Sequence, residues 1–207
     1  MKRYIRSDEE YSAGGETFDG YMGAVGWKGK NYELHRDVKD IAQIVRKQFK
    51  QKFPGYKISV RISRFSGGQA IDATIWLHTS DLISKQEFVD DAVSDPYQFA
   101  RGGGMIGYID ENGRYQWVDS YQLFNNMDEA GLEQFFANYY DRTIEKYSEG
   151  SNTYPTINYG QEPIPLKNKK PLEYVKGLLD SFNYDDSNSM VDYFAVNFYS
   201  DIEYKYD

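Results

Sequence analysis

The stretch DVKDIAQIVRKQFKQKFPGYKISVRISRFSGGQAIDATIWLH, residues 37–78, reads as one helix followed by one β-hairpin. Asp37 suits an N-cap, because its carboxylate can accept from the first exposed backbone N–H groups. Val38, Ile41, Ala42, Val45 and Phe49 then recur at helical spacing along one face. Pro54-Gly55 stops the helix, since proline cannot continue it and glycine permits the turn. Ile58, Val60 and Ile62 alternate with Ser59, Arg61 and Ser63, the period of a strand. Beyond Ser66-Gly67-Gly68-Gln69, a second alternation sets Ile71, Ala73, Ile75 and Leu77 against Asp72, Thr74, Trp76 and His78.

Pairing across the Gly67-Gly68 turn predicts Ile62 beside Ala73 and Val60 beside Ile75, on an apolar face that the helix stripe can cover. The same register puts Arg61 near Thr74, Ser59 near Trp76 and Lys57 near His78 on the outer face. Between Arg36 and Arg64 nine cations face only Asp37 and Asp40, so the segment carries +7. The chain as a whole is −8, which leaves −15 for the remainder.

The chain has 207 residues, enough to bury a full core as one large domain or two small ones. Its 20 Tyr, 12 Phe and 3 Trp supply much of the apolar bulk, and each tyrosine hydroxyl needs water or a partner. With no cysteine there are no disulfides and no thiolate chemistry, which fits a reducing cytoplasm. No run approaches the roughly 20 apolar residues of a membrane span. The opening residues turn acidic before any hydrophobic run, so no secretory signal is expected.

Outside the helix and hairpin, residues 1–35 are rich in glycine and tyrosine and read as short strands and turns. Their glycine spacing lacks the Gly-Lys-Ser/Thr ending of a phosphate loop. Ser84 and Glu87 fit a capping box opening a helix to about Val93. Glu111-Asn112-Gly113 between Met105–Ile109 and Tyr115–Val118 predicts a hairpin. The triple glycine after Arg101 reads as the entry to its first strand. Leu132, Phe135, Phe136, Tyr139, Tyr140, Ile144 and Tyr147 mark an aromatic helix over 128–147. Pro155, Pro163 and Pro165 break the pattern, so residues 151–170 read as a linker. Leu172, Val175, Leu178 and Leu179 predict a helix from Pro171, followed by a polar turn at 184–189 and strands at 193–199 and 202–206. The expected fold is α+β, an antiparallel sheet with packed helices built around the αββ unit 36–78. A main domain spans 1–150, and a smaller αββ segment spans 171–207.

Phe53-Pro54-Gly55, the strand ending Ser63-Arg64-Phe65-Ser66-Gly67-Gly68, and Ala70-Ile71-Asp72 resemble the large polyvalent protein-associated domains of phages, plasmids and conjugative elements. Asp180–Asp185, Ser189-Met190, Asp192-Tyr193-Phe194 and Asn197-Phe198-Tyr199 resemble a second segment of the same mobile-element proteins. The resemblance implies a protein working in the cytoplasm of an invaded bacterium against host defence. It is similar in this to anti-CRISPR proteins that act on Cas9 and its guide RNA. No catalytic residue carries over.

His35 and His78 are the only histidines and have no metal-ligand spacing. No metal, cofactor or small-molecule substrate is implied. Asp72 and His78, on the outer face of the hairpin, are groups that can bind a divalent ion or act in RNA cleavage, since a nuclease needs a base and a charge stabiliser. The stronger pattern is cationic. Arg46, Lys47 and Lys50 lie off the apolar stripe, and Lys57, Arg61 and Arg64 accompany Trp76 and His78. Charges for phosphates and a ring for stacking are what a single strand requires. The expected function is inhibition of a CRISPR effector through Cas9 or its guide RNA. The alternatives are a guide-RNA nuclease and a nucleic-acid-binding accessory factor for element transfer.

Overall fold

A computed structural model describes residues 15–19, 25–99, 104–110, 112–148, 163–187 and 195–207. The strands are β1 (Glu16–Asp19), β2 (Val25–Lys28), β3 (Lys57–Phe65), β4 (Gly68–Leu77), β5 (Met105–Ile109), β6 (Tyr115–Asp119), β7 (Tyr184–Asp185) and β8 (Tyr199–Tyr206). The helices are α1 (Val38–Lys52), α2 (Lys85–Ser94), α3 (Ser120–Phe124), α4 (Glu129–Tyr147) and α5 (Lys170–Phe182). The class is α+β, as the sequence predicts. Arg101–Gly103, Tyr193-Phe194 and most of the glycine-rich opening lie outside the described residues. Among the described residues no helix is long and apolar enough to cross a membrane.

The described residues form two compact units, the first comprising those up to Leu77 and Lys169–Lys205. The Asp37 carboxylate caps α1 by accepting from Lys39 N at 2.9 Å. Val38, Ile41, Ala42, Val45 and Phe49 are all fully buried. Each of the larger ones is worth about 1.5–3 kcal/mol relative to exposure. The stripe packs on β3, which pairs antiparallel with β4, Val60 opposite Ala73 and Ile62 opposite Ile71.

This register corrects the predicted one by two residues. Phe65 pairs with Gly68, so the loop is only Ser66-Gly67, and Gly68 takes φ +148°, which favours glycine. An even shift keeps every side chain on its expected face, so the core survives the error and the outer-face partners change.

The C-terminal segment completes this unit. The sheet order is β3-β4-β8, with β4 in the middle. Gln69 reaches Asn197, Thr74 reaches Glu203, and Trp76 lies beside Lys205. Those neighbours ascend together along both strands, so β8 runs parallel to β4. A parallel neighbour needs a long crossover, and a strand far along the chain supplies one. Residues 171–207, expected as a smaller αββ segment, thus give α5 and β8 to the first unit. Tyr184-Asp185, expected in a polar turn, instead pairs with β2 to form the sheet β1-β2-β7. Gly29 closes that arrangement, donating to the Asn183 carbonyl at 2.8 Å. A Cβ there would lie 2.3 Å from the carbonyl oxygens of Asp180 and Ser181, so only glycine allows the approach.

The second unit begins at His78 and includes 163–168. Ser84 caps α2 by accepting from Glu87 N, and Asp128 caps α4 by accepting from Gly131 N. Phe88 and Phe136 are fully buried, and Tyr140 Oη donates to the Ile83 carbonyl at 2.9 Å. The predicted hairpin forms as β5-β6, and Tyr108 meets Phe135 of α4 edge to face. Residues 163–168, expected within a linker, are ordered here. Ile164 and Leu166 are buried, and Leu166 bridges Leu82. Buried Asp81 accepts from His78 N and from the Asn168 side chain, while its own carbonyl accepts from Lys167 N.

Candidate functional site

The cationic residues of the first unit do not converge on one outer face. Arg46 is half-buried and donates to the Val60 carbonyl. It thereby caps the edge strand β3, where backbone groups would otherwise be unpaired. Arg61 sits opposite Asp72, and Arg64 pairs with Asp37 at 3.1 Å. Lys57 lies opposite Trp76, with Nζ 4.2 Å from its ring centroid.

Trp76 is only 8% exposed, which corrects its reading as an open stacking platform. Lys57 approaches its ring on one side of the sheet's middle strand, and Lys205 of β8 lies 5.1 Å from the same ring. The strand that brings Lys205 was expected in another segment, so the cover was missed. His78 is corrected as well. β4 ends at Leu77, and His78 opens the short helical turn Thr79–Asp81. Six residues of extended chain separate it from Asp72, about 20 Å, too far for one phosphate to touch both.

The outer face instead gathers Asp72, Asp201 and Glu203. Burial and the neighbouring Asp201 raise the Asp72 pKa. Burial, Asp201 and Asp72 raise that of Glu203, against a weak bond from Thr74 and the charge of Lys205. With Lys57, Arg61 and Lys205 on the same face, these three carboxylates cancel the cationic charge that would attract phosphate. Among the described residues no group of three or more His, Asp or Glu side chains is placed to hold a metal ion.

Among the described residues two features are open to an anionic partner. Lys39, Gln43, Lys47 and Lys50 are all exposed on the side of α1 away from its buried stripe. From Lys39 to Lys50 this row extends about 16 Å at 1.5 Å per residue.

The second is a cleft of about 500 Å³ beside the start of α1, lined by Tyr32, His35, Arg36, Arg64, Gln69 and Tyr184 among others. Its floor and walls come from three places. The loop before α1 is held by Tyr32 N donating to Gly29 O and Arg36 N to Glu33 O. It carries exposed His35 at φ +68°, a conformation rare for a residue with a Cβ. Arg64 and Gln69 are cross-strand partners on the helix side of β3-β4, and Gln69 Nε2 donates to the Asn197 carbonyl at 3.0 Å. Tyr184 of β7 stacks on both Tyr32 and Phe18. The Arg36 guanidinium lies 5.6 Å over the Phe182 ring and pairs with Glu33. Its buried Nε has no hydrogen-bond partner among the described residues.

Of the sequence-predicted residues, Lys47 and Lys50 share the α1 row and Arg64 enters the cleft. Arg46, Lys57, Arg61, Trp76 and His78 belong to neither. Sequence reasoning missed Tyr32, His35 and Tyr184, which come from segments it treated as separate, and Gln69, which it placed in the hairpin loop. The one available signal was the cation density flanking the cap, Arg36-Asp37 and Lys39.

Residues 36–115 match the family model described as large polyvalent protein associated domain 29, and no curated protein or solved structure matches the chain. The match starts at the lip of the cleft and covers α1, the β3-β4 hairpin, α2 and β5. Across residues 36–115 the chain is thus similar to the large polyvalent protein associated domain 29 family.

Proposed function

We propose that this chain is a mobile-element-encoded anti-defence protein that acts by binding single-stranded nucleic acid, with the guide RNA of a Cas9-type effector as its target. The observation that carries the reading is the α1 row, in which Lys39, Lys47 and Lys50 are exposed beside a cleft containing Arg36 and Arg64. The similarity over 36–115 supports the mobile-element setting. Net acidity disfavours indiscriminate binding, so the contact is local and salt-sensitive. Four phosphate contacts to a single strand give a log–log salt slope of about −3.

The test is a mobility shift of labelled guide RNA, alone and loaded on Cas9, with target cleavage measured in parallel. Salt-dependent binding together with reduced cleavage supports the proposal. Absence of both overturns it. Equal binding to unrelated single strands with undiminished cleavage assigns the protein to element transfer instead.

A further inference from the structure

We infer that the cleft at the start of α1 is a nucleotide-binding site, taking one base and one phosphate. The inference rests on the single-strand reading and supplies its point of recognition. A volume of about 500 Å³ lies within the range of small-molecule sites. Tyr184 is stacked between Phe18 and Tyr32, so Tyr32, with its centroid 5.3 Å from that of Tyr184, is the ring that can take a base. Stacking on such rings accepts any base, because every base has a π-face.

The opposite chemistry sits at the same cleft. Arg64 presents a guanidinium whose fork matches phosphate oxygens, and Arg36 and His35 add two more nitrogen donors. Both arginines are held by carboxylates, Arg64 by Asp37 and Arg36 by Glu33. The Arg64–Asp37 pair is about half exposed on each side, so it competes weakly with an incoming dianion. The Gln69 amide is held by its Nε2 bond to Asn197, which leaves the carbonyl oxygen as an acceptor for the edge of a base.

Asp37 provides a test that a merely structural cleft would not pass. Asp37→Asn removes the competing charge, and asparagine caps a helix as well as aspartate does. The probes are AMP, inorganic phosphate, adenosine and a short oligoadenylate, titrated by calorimetry into the full chain. Asp37→Asn is expected to tighten AMP about fivefold, the strength of one exposed ion pair. Arg64→Gln is expected to weaken AMP about tenfold. Tyr32→Ala is expected to weaken AMP about tenfold and leave inorganic phosphate unchanged, with melting curves confirming that the variant folds.

Oligoadenylate binding more tightly than AMP assigns the site to a strand, and equal affinities assign it to a free nucleotide. Either outcome supports the inference. It is overturned if millimolar AMP produces no heat, or if Asp37→Asn and Arg64→Gln leave the affinity of AMP unchanged. AMP binding that persists while guide RNA fails to bind refutes the strand reading and leaves the site standing.

Discussion

Replacing Glu203 with glutamine should stabilise the protein at neutral pH. Glu203 stands on the outer sheet face beside Asp72 and Asp201, and three influences oppose its charge: burial, then Asp201, then Asp72. Like-charged neighbours on a sheet cost about 0.2–1 kcal/mol each. Glutamine keeps an acceptor for Thr74 and loses the attraction of Lys205, and solvent on this face screens every contribution. The expected net gain is therefore about 0.5–1 kcal/mol. For a cooperative unit of roughly 100 residues that is about 2–6 °C in Tm. The pH dependence gives the sharper readout. A carboxyl raised in the folded state binds its proton more tightly there than in the unfolded chain. The native state then holds more protons between the ordinary carboxylate value, about 4, and the raised one, so stability falls as pH rises through that window. The wild type should recover stability on acidification, and its gap to Glu203→Gln should close toward about pH 4. Differential scanning calorimetry of both proteins across that range measures this. A variant that melts lower at neutral pH, or a gap that widens on acidification, would refute the account of mutually repelling carboxylates.

Charge reversal of Lys47 and Lys50 to glutamate should leave Tm within a degree or so, since both are exposed, while lowering the salt slope of guide-RNA binding by at least about 1.4, measured by filter binding. Arg46→Met keeps the stem and deletes the bond to the Val60 carbonyl, so urea unfolding should show a loss of about 1–2 kcal/mol. Gly29→Ala must push Cβ against two backbone oxygens at 2.3 Å, and the same assay should show a loss of about 1–3 kcal/mol or more.

What the sequence made legible was whatever depends on neighbours close along the chain. Helix α1 follows from a five-residue apolar stripe and an aspartate cap, and the β5-β6 hairpin from Asn-Gly between two short apolar runs. The faces of β3 and β4 also follow locally, because alternation fixes them even when the register moves by two. The partners on the outer face do not follow, because they are supplied by β8, more than a hundred residues later. Lys57, Arg61 and Trp76 look like an RNA platform only while that neighbour is absent. Beside β8 the tryptophan lies under two lysines, and the face acquires Asp201 and Glu203. The same distant pairing that removes one candidate surface builds the other. Tyr184 and Asn197 reach the cleft because their segment docks against the β2 end and the tip of the β3-β4 hairpin. Charge density along the chain therefore locates the cationic segment, while pairing with distant strands decides which of its sides also receives carboxylates. The side where β8 delivers none is the exposed row of α1 and the arginine-lined cleft at its start, and the proposed strand contact rests there.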